Sequence, residues 1–230
     1  MIRNFKIVLN VVYGAIYVLV FLLLFGGCHR NVPATVTDVD GNVYHTVTIG
    51  SQVWMAENLK VTRYRNGDPI PKIISNINWS SAKTGAYCNY NNEDTNASVY
   101  GHLYNWYTLN DDRAIAPQGW HVPNSKEIKT LIKFLGGQNV AGANLKETGT
   151  THWLTPNSGA TNKFGYTALP SGYRNSFNGN YHLIGRNGFW WFYNEKDTSA
   201  WINVISFNDS CLFRNYIDKS SGISVRCVKD

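Results

Sequence analysis

Residues 1–28, MIRNFKIVLNVVYGAIYVLVFLLLFGGC, constrain this chain more than any other stretch. Arg3 and Lys6 open the segment, an apolar run follows over residues 7–25, and Gly26, Gly27 and Cys28 end the run. A basic start, an apolar middle and small residues before a break are the marks of an export signal. The part left to fold is then about 200 residues, the size of one domain. It folds outside the cytoplasm, where disulfides are permitted.

Small residues followed at once by cysteine resemble a bacterial lipoprotein signal. The resemblance implies cleavage before Cys28 and lipidation of its thiol. Residues 1–27 would be the signal, 28–35 a lipidated tether and 36–230 the domain. The alternative is an uncleaved anchor: about 20 apolar residues span a bilayer, and residues 7–27 reach that length. Simple secretion is the third reading. The tether HRNVPAT carries no acidic run, which leaves both the periplasmic face of the outer membrane and the cell surface open.

Without Arg3 and Lys6 the basic count falls from 21 to 19 against 15 acids, a net charge of +4. No Lys/Arg block exists, so nucleic acid is not an expected partner. Low charge (16%) with 14% aromatic residues argues against disorder and for a folded, loop-rich module. Of the three cysteines after Cys28, Cys211 and Cys227 flank the turn-like NYIDKSSG between two strand-like runs. If those runs pair as a hairpin, the two Cα atoms lie ~4.5–5.5 Å apart, a separation that a disulfide accepts. Cys88 is left over as a buried thiol.

Along the domain, residues 36–49 read as a hairpin, with Asp40-Gly41 between alternating apolar residues. Residues 65–98 are loop-like. Two helices are predicted. In VYGHLYNWYTLND, Tyr100, Leu103, Tyr104 and Tyr107 fall on one helical face. In HVPNSKEIKTLIKFLGG, Asn124 and Glu127 have the spacing of a capping box, and Ile128, Leu131, Ile132 and Leu135 form the apolar stripe. AGANLKETG reads as loop. The tail GFWWFYN, SAWINVISF, CLFRNY and GISVRCVKD reads as a C-terminal antiparallel sheet. Helices and strands segregated in this way give an α+β class.

The ordered blocks IGSQVWMAENLKVTRY, AYCNYNN, YGHLYNWY, GWHVPNSKEI, LKETG, GYTALPSGYR, FWWFYNE and SVRCVKD closely resemble the Fibrobacter succinogenes major paralogous domain. That family is found in lipoproteins and surface proteins and is related to formylglycine-generating-type domains. The relation implies a C-type-lectin-like fold. Relatives usually carry Cys where this chain has Ala116, and none at Cys211. That difference implies a rearranged disulfide, with Cys227 as the shared partner.

The resemblance also raises catalysis, because formylglycine-generating enzymes use a copper-binding cysteine pair. Cys211 and Cys227 are better explained as a structural bond, and no two of the six histidines are close in sequence. His121 reads as a core or capping residue rather than a ligand. No cofactor is expected other than calcium, for which Asn91, Glu93 and Asp94, and Asn194, Glu195 and Asp197, gather the oxygen ligands that hard cations prefer. A plain polar loop is the alternative for each group. Ligand-binding residues are expected in the Asn/Gly loop GYRNSFNGNYHL and beside it: Tyr173, Arg174, Phe177, Tyr181 and Arg186. One of Trp190 or Trp191 should join them, since neighbours in a strand face opposite ways. The expected function is a lipid-anchored, non-catalytic binding or adhesion module of the envelope, for a glycan or an envelope protein. A structural subunit of an envelope or pilus-like assembly is the second reading, and a formylglycine-generating-type oxidase the third.

Overall fold

The predicted hairpin forms, with β1 (Thr35–Thr37) antiparallel to β2 (Val43–Ile49). Gly41 supplies the left-handed turn residue, at φ 85°. Asp38 locks the turn: its carboxylate accepts from the Asp40 and Asn42 amides and from the Tyr44 hydroxyl at 2.6 Å. The structure, a computed structural model, describes residues 34–194 and 200–230. The expected signal and lipidation site at Cys28, within residues 1–33, and Glu195 and Asp197 lie outside the described residues. Residues Pro33–Asp230 pack as one unit.

The helix predicted over residues 100–107 does not form. A short helix α1 (Asn76–Ser81) and a second, α2 (Asp94–Tyr100), come first, and Gly101 stops α2 at φ 75°. Leu103 and Tyr104 are then a strand, β5 (Leu103–Tyr104), paired with β4 (Tyr87–Cys88). One helical turn, α3 (Trp106–Leu109), follows behind an Asn105 cap. Tyr104 exchanges backbone hydrogen bonds with Ile223 at 2.9 and 3.0 Å, a long-range pairing that overrides the local period.

The second predicted helix is present as α4 (Ser125–Phe134), with both halves of the Asn124/Glu127 capping box made. AGANLKETG, expected as loop, is mostly helix α5 (Gln138–Leu145). Its small residues permit close packing: a Cβ on Gly142 would sit 2.3 Å from the Cys211 carbonyl oxygen.

The first three predicted tail strands form one antiparallel sheet, β9 (Asn187–Phe192), β10 (Trp201–Ser206) and β11 (Leu212–Tyr216), with β10 in the middle. The fourth does not join it. β12 (Val228–Lys229) lies in the other sheet, between β3 (Gln52–Met55) and β6 (Trp120–His121), in the order β1-β2-β3-β12-β6. A two-stranded ribbon, β7 (Ser171–Arg174) with β8 (Tyr181–Ile184), completes the α+β architecture.

This topology overturns the predicted disulfide. Cys211 precedes β11, with its sulfur 3.7 Å from the Asn139 carbonyl oxygen, whereas Cys227 is enclosed in the core next to β12. β11 and β12 are not partners, and both thiols are free, as is Cys88.

β9 is buried on both faces, and residues of both larger sheets divide between two cores, while β11 beyond Leu212 is exposed. Met55, Phe189, Trp191 and Ile202 enter one core cluster, while Trp54, Trp190, Phe192 and Ile205 enter the other. Trp190 and Trp191 do point to opposite faces, but each face meets a core, so neither reaches the surface. Truncating either to Ala would cost about 3–5 kcal/mol.

Three buried cations tie the loops to these cores, and each is held by neutral oxygens. Lys146 Nζ donates to the carbonyls of Ser158, Ser206 and Asp209 at 2.8–3.0 Å, and burial pushes its pKa down to about 8. Arg226 donates to Asn58 Oδ1 and to the Tyr166 carbonyl. Arg174 donates to the carbonyls of Gly179, Ile73 and Ile74 and to Asn76 Oδ1. Buried cations survive when every donor is matched, and here a single side chain reaches several loops at once.

Candidate functional site

Of the residues expected to bind ligand, most are built into the fold. Arg174 is fully buried between the rings of Trp79 and Tyr181, 4.6 and 4.9 Å from their centroids. Tyr181 donates its hydroxyl to Asn92 Oδ1 at 2.8 Å. Tyr173 packs edge-on against Phe189 at 5.2 Å. Arg186 is exposed, but it lies over Phe207, 5.8 Å from the ring. Trp190 and Trp191 are core, as described above. Of the expected rings only Phe177 is held out in solvent, at 90% exposure.

Its display is built from below. The β7–β8 turn folds on Asn175, whose side-chain oxygen accepts from the Phe177 amide at 2.7 Å. Arg174 ties the turn to the start of α1 through Gly179 and Asn76. The turn lies so close to α1 that a Cβ on Gly179 would fall 2.6 Å from Asn76 Cα. Trp79 anchors α1 inward, and Ile77 on the same helix is 78% exposed. Large apolar side chains held out on a rigid base do nothing for the core, and grouped exposure of this kind marks interaction surfaces.

Phe177 and Ile77 stand at one end of a trough made of three basins. The basin they line has a volume of about 340 Å³ and also holds Lys83 and Asp218. The next, about 600 Å³, is lined by Lys83, Asp218, Tyr107, Tyr216 and Lys219. The third, about 420 Å³, shares Lys83 and Tyr107 and runs on to Pro69, Pro71 and Arg113. Lys83 borders all three, so they adjoin one another around it.

Neutral hydrogen bonds fix the walls. Asn105 accepts from the Ala86 amide at 3.1 Å and donates to the Thr84 carbonyl at 2.8 Å, which pins the Lys83 loop to α3. The Trp106 amide donates to the Lys219 carbonyl at 2.9 Å, and the Ser220 hydroxyl to the Ala82 carbonyl at 3.3 Å. The exposed Tyr216 ends β11.

The calcium candidates around Asn91 do not converge on a shared site. Asp94 is engaged by Lys72 at 3.1 Å and Asn89 at 2.7 Å, and Glu93 by Asn96 at 3.0 Å. Asn91 sits in a 3-10 turn with φ 54°. Among the described residues no three His, Cys, Asp or Glu side chains group as metal ligands. His121 caps structure as expected, with one ring nitrogen on Glu127 and the other on Asp230. Burial works against its charge, but hydrogen bonds to Asp230 and Glu127 outweigh that and raise its pKa.

The Fibrobacter succinogenes major domain matches residues 47–229, nearly all of the described structure. The chain belongs to that family. Its motif blocks now have physical roles. LKETG contributes Lys146, SGYR contributes Arg174 and SVRCVKD contributes Arg226, the three buried cations that hold the loops. Family membership is compatible with a secreted or envelope protein. Among the described residues no helix is long and apolar enough to cross a membrane. No curated protein and no solved structure matches the chain.

Of the residues lining these basins, the sequence reading had named Phe177, an apolar residue inside the polar turn NSFNGN. It missed Ile77, Lys83, Tyr107, Tyr216 and Lys219. Ile77 in INW, exposed in a loop-like region, was the one local signal available. The others come together only through tertiary structure.

Proposed function

We propose that this chain is a non-catalytic binding module of the cell envelope, anchored through Cys28, and that it takes an extended polysaccharide strand along the trough around Lys83. One observation carries the reading: Phe177, Ile77 and Tyr216, the last 70% exposed, line two open basins that adjoin at Lys83 and Asp218. Aromatic faces suit sugar C–H surfaces. Ser80, Ser81 and Ser220 in the Phe177 basin and Asn110 in the third supply directional polar groups beside them. Apolar walls with a few placed polar groups are the usual make-up of a ligand site, and an open trough suits a polymer better than a small molecule. The fold is read as C-type-lectin-like, supported by the capped α4 and by long loops strung between the first and last strands of one sheet.

The test is polysaccharide-retardation electrophoresis of the full-length chain in mild detergent. Phe177→Ala and Tyr216→Ala should weaken retardation without moving the melting temperature. If both variants migrate as the parent does in every polysaccharide gel, the trough is not a glycan site. The structural-subunit reading is favoured by the Ile77/Phe177 pair, two apolar side chains that a protein partner would cover. A single stoichiometric envelope protein captured by the parent and lost with Phe177→Ala would select it.

A further inference from the structure

The charge of the trough is the feature that the aromatic rings do not explain. Of the cations lining it, Arg113 is already neutralised: it pairs with Asp111 at 2.8 Å and Asp68 at 3.1 Å and lies 3.9 Å over the Tyr64 ring. Lys83 and Lys219 are different. Among the described residues neither has a carboxylate within ion-pair distance. Both line the central basin between Tyr107 and Tyr216, and Lys83 also borders the basins on either side.

Among the described residues Asp218 is the one carboxylate lining that basin, and it is turned to its own loop. Its Oδ1 accepts from the Ser220 amide at 2.8 Å, and its carbonyl accepts from the Ser221 amide at 2.9 Å. Two unpaired ammonium groups against one aspartate make the described lining of that basin positive. A neutral glycan has no group to answer such a charge, whereas a polymer with a carboxylate on successive sugars does.

We propose that the trough selects acidic polysaccharide, with uronate-type carboxylates set against Lys83 and Lys219 while the sugar faces lie on Tyr107 and Tyr216. The inference rests on the polysaccharide reading above, and the experiment separates the two.

Retardation of the full-length chain in mild detergent is compared in gels of polygalacturonate and of the same polymer fully methyl-esterified, which keeps the sugars and removes the charge. Polygalacturonate should retard the chain and its ester should do so far less. Lys83→Gln and Lys219→Gln should each weaken binding about fivefold at low salt, a loss that shrinks as salt is raised, as for exposed ion pairs. Neither lysine supports the core, so both variants should melt with the parent. Equal retardation by the acid and its ester, lowered equally by Tyr107→Ala, would overturn acid selection and leave the trough as a glycan site. Retardation by neither polymer, nor by a panel of neutral glucans and galactans, would overturn both. Binding to polygalacturonate that is unchanged in both lysine variants would place the acidic polymer elsewhere on the molecule.

Discussion

Arg226 Nη2 donates to Asn58 Oδ1 at 2.8 Å, and that single amide oxygen is the hub joining the last strand to the second core. It also accepts from Arg226 Nε at 3.1 Å and from Trp190 Nε1 at 2.8 Å, while the Asn58 amide nitrogen donates to the Tyr100 carbonyl. The guanidinium is fully buried and lies 4.2 Å over the Tyr166 ring.

Asn58→Ala should therefore be among the most destabilising single changes in the chain. It strands three buried donors, two of them on the charged guanidinium, and each unmatched buried group costs about 1–3 kcal/mol. Asn58→Asp keeps an acceptor for Arg226 and Trp190 and loses only the bond to Tyr100. Urea unfolding of the two variants should show the Ala change costing clearly more. Equal midpoints would mean that the hub contributes little.

The three thiols of the domain should differ sharply in reactivity. Burial pushes the Cys88 thiol up to about 11 and the Cys227 thiol up to about 12, and both are enclosed. Cys211 is partly exposed, and its hydrogen bond to Asp209 raises its pKa, so it should react slowly. With a thiol-specific chromogenic reagent, one domain thiol should titrate in the native protein and three after denaturation. Reductant should leave the melting temperature unchanged. A reductant-sensitive melt would restore the cross-link that the strand order excludes.

What was legible in the sequence was local, and what was hidden was tertiary. The α4 start could be read because Asn124 and Glu127 satisfy each other three residues apart. The period through Tyr100, Leu103, Tyr104 and Tyr107 misled because Ile223, more than a hundred positions away, pairs with Tyr104. Alternation in FWWF gave the right facing for Trp190 and Trp191 and the wrong exposure, since a period of two cannot say whether the outer face is solvent or a second core. Arg174 looked like a ligand group because its partners, Ile73, Ile74 and Asn76, belong to a distant loop and helix. The trough around Lys83 draws on at least five separate stretches of chain, which only the tertiary fold brings together.

His121 should make stability depend on pH. Its folded pKa lies above the unfolded value of about 6.5, so the stabilisation from Glu127 and Asp230 is fully present below that value. It is lost as pH rises through the folded pKa. The side chain is 37% exposed, and solvent screening keeps the effect small. Urea midpoints of the parent and His121→Gln should differ most below about pH 6.5 and converge as pH rises through the raised folded pKa. A gap that widens with pH would have the wrong sign for a raised pKa.

Arg174 and Phe177 sit three positions apart on the same turn, and they should behave as opposites. Arg174→Met removes donors from the carbonyls of Gly179, Ile73 and Ile74 and from Asn76, all at a fully buried site. Removing a charge that holds several buried acceptors together costs about 3–5 kcal/mol. The turn and α1 should then separate and disorder the Phe177 end of the trough. Phe177→Ala removes a ring that touches solvent and should leave the melt within about 0.5 kcal/mol of the parent. Thermal melts and ligand retardation measured together decide the matter: Arg174→Met should lower both, and Phe177→Ala binding alone. A stable Arg174→Met variant that loses only binding would return Arg174 to the ligand site, and the account of it as a clamp between turn and helix would be wrong.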